Sequence, residues 1–222
     1  MVKNIIFDFG GVIVHLDPAE AVRRFESLGI TDASRQLDIF GQTGIFGEVE
    51  TGEISAHEFC RQLALQAKEK SGRFSNKPHP CFSFEQAQWA WMGYIKEVPQ
   101  KNLDSLLRLR QSYNLYLLSN LNPFIQSWAE STEFSGDGHP LNYYLNELYY
   151  SFQLHDYKPA PSIYEKMMEQ ACLRPDECLF LDDSIRNIRG CEAAGMHGLL
   201  VEKDEDWTTK LDLELLRLSN LP

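Results

Sequence analysis

The sequence of 222 residues predicts an α/β fold, in which a parallel five-stranded sheet lies between two layers of helices and carries an inserted helical domain. Short apolar runs alternate with amphipathic helical patterns along most of the chain. The apolar runs are continuous, as in strands that are buried on both faces of a parallel sheet. One stretch, residues 15–98, breaks the alternation because its patterns are helical only.

Five segments have the features of buried strands. The first contains the continuous apolar run Ile5, Ile6 and Phe7. The second is followed by a polar turn in which Pro123 occupies a favoured first position of a helix. The predicted strands lie at residues 3–8, 113–119, 147–152, 178–183 and 197–201.

Amphipathic helices are predicted between these strands. Leu103 and Leu106 form the apolar stripe of one helix, and Ile163 and Met167 form that of another. A third, after the fourth strand, ends at Gly195, a favourable residue at a helix C-terminus. Strands that alternate with helices in this way indicate right-handed crossovers and a three-layer architecture.

Residues 15–98 read as an inserted helical domain. Ser55 with Glu58 and Asp17 with Glu20 have the spacing of capping boxes at helix N-termini. A loop is predicted at residues 73–81. The four predicted helices have the sequences PAEAVRRFESL, ASRQLDIF, SAHEFCRQLALQAKE and FEQAQWAWMGYI.

The break in the alternation predicts two domains. A core domain comprises residues 1–14 and 99–222, and a helical domain comprises residues 15–98. Trp89 and Trp91 of the helical domain lie in an apolar helix, so both are predicted to pack in the core of the protein.

Composition excludes several classes of partner. The net charge of −11 argues against nucleic acid, because phosphate-backbone binding needs clustered Lys and Arg side chains. No stretch approaches the roughly 20 apolar residues of a membrane span, and Asp8 interrupts the only candidate for a signal peptide. The five cysteines are odd in number and lack CxxC spacing, so we expect free thiols and a cytoplasmic location.

Polar side chains collect where the predicted strands end. Ligands bind at the carboxyl ends of strands in open parallel sheets, so these residues are expected to meet at one edge. Taken singly, each has an ordinary structural explanation as a turn residue, a helix cap or a solvated side chain. Together they suit a divalent cation and a phosphate group, and they are Asp8, Ser119, Asn120, Lys158, Asp182 and Asp183.

Four segments, in chain order, contain the candidate site residues: IIFDFGGVI, LYLLSN, YKPAPSIY and FLDDSIRNIRGCEAAG. In sequence and in order they resemble the signature motifs of the haloacid dehalogenase-like hydrolase superfamily. The resemblance implies a Rossmann-like core with an inserted α-helical cap. The segments GEIS and SFQLHDYKP further resemble bacterial sugar-phosphate phosphatases similar to glucose-1-phosphatase.

The resemblance also implies a role for each site residue. Asp8 would be the nucleophile that forms an aspartyl-phosphate. Mg²⁺ would be held by Asp8, the carbonyl oxygen of Gly10, Asp182 and Asp183. Ser119, the backbone amide of Asn120 and Lys158 would bind the phosphoryl oxygens, with Lys158 balancing charge in the transition state. Ser184 and Asn187 match positions that usually steady the acidic loop, so they would have a supporting role only.

Gly10 departs from the pattern of most phosphatases in this superfamily, although the branch of sugar-phosphate phosphatases that the chain resembles also carries glycine at this position. The residue two positions after the nucleophile is usually an aspartate that acts as general acid and base, and glycine cannot transfer a proton. His15 and Asp17 are the nearest alternative proton donors, although Asp17, followed by Pro18, has the pattern of a helix cap.

Three functions are consistent with this pattern. The favoured one is Mg²⁺-dependent hydrolysis of a small phosphorylated metabolite by a monomer or weak homodimer. A 2-haloacid dehalogenase also lacks the second aspartate, but it needs no metal, and the pair Asp182 and Asp183 argues for one. A catalytically idle phosphate-binding or regulatory protein is the third alternative.

Overall fold

All five predicted strands are present in a computed structural model of the protein, which describes residues 1–37, 42–71 and 81–220. They form one parallel sheet in the order β5-β4-β1-β6-β7. The strands of the described residues are β1 (Asn4–Phe7), β2 (His15–Leu16), β3 (Ile95–Glu97), β4 (Asn114–Ser119), β5 (Glu147–Tyr150), β6 (Cys178–Asp182) and β7 (His197–Leu200).

Helices connect and cover the sheet. The helical segment, residues 15–98, contributes α1 (Pro18–Ser27), α2 (Ala33–Gln36), α3 (Ile45–Thr51), α4 (Ala56–Ser71) and α5 (Phe84–Trp91). The remaining helices are α6 (Gln100–Leu109), α7 (Pro123–Ala129), α8 (Leu141–Tyr144), α9 (Ser151–Leu154), α10 (Pro161–Gln170), α11 (Ile185–Ala193) and α12 (Thr208–Ser219).

The sheet is buried on both faces. Alternate side chains of β1 point to opposite faces, so Ile5 and Phe7 belong to one hydrophobic cluster and Ile6 to another. The first cluster contains side chains of α6, α7 and α12, and the second contains side chains of α10 and α11. Helices therefore cover both faces, which confirms the predicted three-layer Rossmann-like fold.

The register of the strands fixes where the candidate site lies. Phe7, the last residue of β1, is paired with Leu117 of β4 and Leu181 of β6. Asp8 follows directly, so it leaves the sheet beside the carboxyl ends of both neighbouring strands. Parallel pairing thus brings residues that are more than 100 positions apart to one edge.

The helical segment differs from its prediction in two ways. It is not purely helical, because His15 of β2 pairs antiparallel with Glu97 of β3, 82 residues later. Two-residue strands are too short to show a period of two, and this pairing depends on tertiary contact. Helix α3 of the segment was also not predicted. Outside the segment, α8, α9 and α12 were not predicted either. Helices α3, α8 and α9 span only four to seven residues each.

Two predicted helices of the segment are shorter in the structure. The helix predicted at residues 33–40 is observed as α2, and its residues 38–40 lie outside the described part of the chain, as do residues 73–80 of the predicted loop. The last predicted helix of the segment ends at Trp91 and continues as a 3₁₀ turn, Met92–Tyr94. The division into two domains stays a prediction.

The two tryptophans of α5 occupy different environments. Trp91 is fully buried and packs against Phe25, Phe46 and Phe59, as predicted. Trp89 is 48% exposed, so its prediction as a core residue is wrong, and the Arg24 guanidinium lies 5.2 Å from the centre of its ring. Residues two positions apart on an α-helix point to different faces, so one helix cannot bury both rings equally.

Candidate active site

Asp8 lies at the carboxyl end of β1 and is almost completely buried. Its backbone N–H donates to the carbonyl of Leu181 at 2.9 Å, which continues the pairing of β1 with β6. Its carboxylate oxygen Oδ1 accepts from the Ser119 hydroxyl at 2.8 Å and from the backbone N–H of Phe9 at 2.7 Å. The Lys158 ammonium lies 2.9 Å from the same oxygen. Three groups thus orient the carboxylate, while the main-chain bond fixes the residue that carries it.

Lys158 is buried between two acids. Its Nζ lies 2.9 Å from Asp8 Oδ1 and 2.7 Å from Asp182 Oδ2. The backbone of Lys158 is fixed on both sides by Asn120, whose side chain accepts from its N–H at 2.9 Å and donates to its carbonyl at 3.1 Å. Burial lowers the pKa of Lys158, but the negative charges of Asp182 and Asp8 raise it by more. The pKa of Lys158 therefore lies above the usual lysine value.

Asp182 and Asp183 follow one another at the end of β6. Asp182 is fully buried and accepts from the backbone N–H of Ser184 at 2.8 Å and from the Asn187 amide at 3.0 Å. Burial raises its pKa to about 7, against the lowering effect of Lys158. Burial, together with the charge of Asp8, raises the pKa of Asp183 to about 6. Ser184 and Asn187, the predicted supporting residues, therefore both contact Asp182; their role in the site stays a prediction.

The three acids form a set that fits a divalent cation. Oxygen atoms of Asp8, Asp182 and Asp183 lie within 4.8 Å of one another. Mg²⁺ prefers a few carboxylates together with water and phosphate oxygens. The raised pKa values of Asp182 and Asp183 show that burial and clustering disfavour several negative charges here, which a cation would relieve. The donor set is therefore suitable for the predicted metal.

Glycines shape the loop that follows Asp8. A Cβ atom on Gly11, whose φ is +75°, would lie 2.4 Å from Asp183 Oδ2, so only glycine leaves space for that carboxylate. A Cβ atom on Gly10 would lie 2.9 Å from Cδ1 of Leu16, the flexible end of an aliphatic side chain. An aspartate at position 10 would therefore need a small movement of Leu16.

Residues from much later in the chain hold the same loop. The Trp207 indole donates to the carbonyl of Val12 at 2.9 Å, and the Asn102 amide donates to that oxygen at 3.0 Å. The backbone N–H of Asp204 donates to the carbonyl of Gly11 at 3.0 Å. These bonds satisfy buried backbone oxygens and fix the loop relative to the sheet.

The two alternative proton donors are engaged with other partners. His15 Nδ1 lies 2.6 Å from Glu97 Oε1, in the β2–β3 pair. Asp17 caps α1, since its Oδ1 accepts from the backbone N–H of Glu20 at 3.1 Å. Neither residue is among those lining the cavity described below. The structure thus supports the helix-cap interpretation of Asp17.

A cavity of about 480 Å³ opens onto the acidic edge. Its wall contains Asp8, Ser119, Asn120, Lys158 and Asp183. It also contains polar side chains that no sequence pattern assigned to the site. They are Gln42, Glu50, Tyr157, Arg186 and Lys203.

Two of these missed residues had a usable signal in the sequence. Tyr157 directly precedes Lys158, and Arg186 lies within the motif that begins at the fourth strand. Gln42 and Glu50 belong to the helical segment, where no spacing distinguishes a cavity residue from a surface residue. Their positions depend on how the segment packs on the sheet.

Comparisons with known proteins agree with this site. The family model described as haloacid dehalogenase-like hydrolase matches residues 2–195. A D-ribitol-5-phosphate phosphatase of Bacteroides thetaiotaomicron is 45% identical over 215 residues, which are 97% of this chain and 99% of that protein. These likenesses confirm the predicted enzyme class, a phosphatase-type hydrolase.

Solved structures show the same fold. A predicted hydrolase of the haloacid dehalogenase-like (HAD-like) family from Porphyromonas gingivalis matches with a TM-score of 0.86 and 32% identity, covering 98% of both chains. An HAD family enzyme of Bacteroides thetaiotaomicron, an aspartate-to-alanine variant in complex with magnesium and inorganic phosphate, matches with a TM-score of 0.83 and 28% identity over 95% of this chain and 99% of that one. The predicted cofactor, Mg²⁺, is the metal in that complex. By sequence, structure and the arrangement of its acidic edge, the chain belongs to the haloacid dehalogenase-like hydrolase family.

Proposed function

We propose that this protein hydrolyses small sugar or polyol phosphates with Mg²⁺, through an aspartyl-phosphate formed on Asp8. The observation that carries the proposal is the arrangement of Asp8, Ser119 and Lys158 beside the acidic pair at one cavity edge. The substrate class is further supported by the 45% identity to a D-ribitol-5-phosphate phosphatase.

The reaction proceeds in two displacements. A carboxylate oxygen of Asp8 attacks phosphorus, the bond from phosphorus to the alcohol oxygen breaks, and the alcohol leaves with a proton. Water then attacks the phosphorus of the aspartyl-phosphate, which releases inorganic phosphate and restores the Asp8 carboxylate. Asp8, Asp182 and Asp183 would hold Mg²⁺, which would supply the positive charge that lets an anionic nucleophile approach an anionic phosphate.

The residues around Asp8 hold the nucleophile and the phosphoryl group. Ser119 and the backbone amide of Asn120 donate hydrogen bonds to phosphoryl oxygens in this proposal, and the Lys158 ammonium balances their charge in the transition state. Lys158 stays charged because two acids raise its pKa above the usual value despite burial. Asn120 keeps Lys158 in place through both backbone hydrogen bonds.

Proton transfer to the leaving alcohol is the unusual part of the reaction. Gly10 cannot supply the proton, and general acid catalysis contributes roughly 10²- to 10⁴-fold where it is present. His15 and Asp17 do not line the cavity. We therefore propose that solvent delivers the proton and that turnover depends strongly on the leaving group.

The alternative functions receive less support from the site. A dehalogenase needs no metal to release halide from a monoanionic acid, whereas the three clustered carboxylates suit a divalent cation. A catalytically idle protein has no need to keep Lys158 buried between Asp8 and Asp182. Chloride release from a 2-chloro acid would favour the first of these alternatives.

The remaining features of the proposal concern partners and location. We propose a small phosphorylated metabolite as substrate, a monomer or weak homodimer as the active form, and neither nucleic acid nor membrane as partner. In the described ranges, no helix has the length and apolar character needed to cross a bilayer. The five free cysteines support the cytoplasm as the proposed location.

Hydrolysis of an aryl phosphate, with and without Mg²⁺, tests the proposal. We expect metal-dependent phosphate release, and we expect Asp8→Asn to lower it by at least about 10³-fold, because the amide is a poor nucleophile. Activity that survives this substitution would exclude Asp8 as the nucleophile. Beryllofluoride with Mg²⁺, a mimic of the acyl phosphate, should raise the melting temperature of the wild-type protein but not that of Asp8→Asn.

A further inference from the structure

Two buried polar atoms in the cavity wall have no hydrogen-bond partner among the described residues. They are Nε1 of Trp91 and Oε1 of Gln42, and both residues belong to the helical segment. Trp91 is fully buried, and an unsatisfied buried donor or acceptor costs about 1–3 kcal/mol. One atom is a donor and the other an acceptor, so together they offer an unused pair of opposite hydrogen-bonding groups.

A third hydrogen-bonding group of the same wall is Glu50. Its carboxyl accepts from the Tyr157 hydroxyl at 3.1 Å and from the Asn122 amide at 3.4 Å. Burial raises the pKa of Glu50 to about 8, so the group is mainly neutral at pH 7. The neutral Glu50 and Tyr157 pair holds two O–H hydrogens, and their mutual hydrogen bond uses only one. The second is available to another acceptor.

These groups adjoin the phosphate end of the cavity. Tyr157, whose hydroxyl donates to Glu50, is directly followed in the chain by Lys158. Asn120 holds the backbone of Lys158. Glu50 of the helical segment thus contacts a neighbour of the residues proposed to bind the phosphoryl group.

We propose that Gln42, Glu50 and Trp91 form a hydroxyl-binding subsite, which recognises the uncharged, hydroxylated part of a phosphate monoester. This inference rests on the proposed function, and it identifies the groups that select the substrate. A hydroxyl both donates and accepts, so neighbouring hydroxyls of a polyol or sugar match an N–H donor, an O–H donor and an amide oxygen.

The charge distribution of the wall restricts the ligand further. The helical segment contributes no Lys, Arg or His to the described lining of the cavity, whereas Lys158, Arg186 and Lys203 all lie outside that segment. A second phosphate or a carboxylate at the far end of the substrate would therefore be buried without a cation. The subsite fits a monophosphate with a neutral tail.

Binding to the Asp8→Asn protein with Mg²⁺ tests the subsite independently of turnover. The two ligands are D-ribitol 5-phosphate and pentyl phosphate, which share a five-carbon chain and differ in its hydroxyl groups. Sites that hydrogen-bond a hydroxyl discriminate against analogues that lack it, because buried polar groups are then left unpaired. Calorimetry should show that the polyol phosphate binds at least about 100-fold more tightly.

Trp91→Phe in the same background removes the N–H and keeps an aromatic ring among Phe25, Phe46 and Phe59. We expect the preference for the polyol phosphate to fall about tenfold, as for the loss of one buried hydrogen bond. Trp89→Phe is the matched control, since it makes the same chemical change on the exposed face of the same helix. It should leave the preference unchanged.

The outcomes separate the subsite from the catalytic proposal. Equal affinity for the two ligands, or a preference that Trp91→Phe does not alter, would overturn the subsite, whether or not the wild-type protein hydrolyses phosphate esters. A preference that depends on Trp91 would support it, even if aryl phosphate hydrolysis failed and the proposed function were abandoned. Melting temperatures of the variants show that each is folded.

Discussion

The two walls of the cavity differ in charge and in how completely their polar groups are paired. On the sheet side, Asp8, Lys158 and Asp182 are ionisable and each has two or more hydrogen-bond or ion-pair contacts within 3.0 Å. On the side of the helical segment, Gln42 and Trp91 are neutral and each has one polar atom without a partner in the described structure. Preorganised charge suits the chemical step, and uncommitted neutral groups suit recognition of a substrate.

The difference follows from how each wall is built. The sheet side uses strand ends, whose positions are fixed by main-chain pairing, so its residues can be fully paired before a substrate binds. The other wall uses short helices and turns that pack through aromatic side chains. In the proposed function, catalytic charge and substrate choice would therefore be encoded in separate parts of the sequence.

Lys158→Met removes the cation from the sheet side of the cavity, the charged wall, and should have the largest effect of the variants. The change leaves Asp8 and Asp182 buried without their cation, which we expect to lower kcat by more than about 10³-fold and to destabilise the protein by about 3–5 kcal/mol. Steady-state kinetics and urea unfolding measure the two effects. Lys166→Met is the control, because that lysine is 42% exposed in its pair with Asp156. Comparable losses in both variants would contradict the role of Lys158.

Glu50→Gln tests whether the side of the cavity formed by the helical segment, the neutral wall, is uncharged. The folded-state pKa of about 8 lies above the ordinary 4.5, so the folded protein keeps a proton that the unfolded chain releases. The contribution of Glu50 to the free energy of unfolding is therefore greatest below pH 4.5 and declines as pH rises to about 8, by up to about 5 kcal/mol.

Urea unfolding of both proteins between pH 5 and pH 8 measures this decline as a difference. The glutamine variant cannot ionise, so its stability relative to the wild type should increase with pH across the window. Parallel curves for the two proteins would show that Glu50 is already ionised at low pH, and the neutral wall would then be an incorrect description.

Gly10→Asp adds an acid to the charged wall and tests whether a proton donor is missing there. If proton transfer limits turnover, we expect about a tenfold gain in kcat with alkyl phosphates and a smaller gain with aryl phosphates, whose leaving groups need less protonation. The gain is below the usual range for general acids because Leu16 must move away from the new side chain. A fall in kcat with both substrate types would mean that the loop requires glycine.

Asp17→Ala should give the smallest effect. Loss of the helix cap on α1 is expected to cost about 1 kcal/mol in the free energy of unfolding, whereas Asp17→Asn should retain most of it. Thermal or urea unfolding measures both changes. Because Asp17 does not line the cavity, kcat should be the same in both variants. A large loss of kcat in both Asp17→Ala and Asp17→Asn would instead identify this residue as a proton donor, because neither replacement can donate the proton.

The sequence predicted the charged wall far better than the neutral one. Asp8, Ser119 and Asp182 directly follow or end apolar runs, and parallel pairing brings such positions to one edge in any sheet of this kind. Gln42 and Glu50 could not be identified because their side chains reach the cavity only through packing between segments distant in sequence. The β2–β3 pair was missed for the same reason.

The bonds that Asp204 and Trp207 make with the loop after Asp8 have a consequence for biosynthesis. A ribosome adds the groups that fix this loop roughly 190 residues after Asp8 itself. Until Trp207 has emerged, the carbonyl of Val12 lacks its indole donor. The nascent chain therefore carries Asp8, the proposed nucleophile, through synthesis of the whole intervening segment without a finished loop, and competence for metal binding is expected only after Trp207 has packed against that loop.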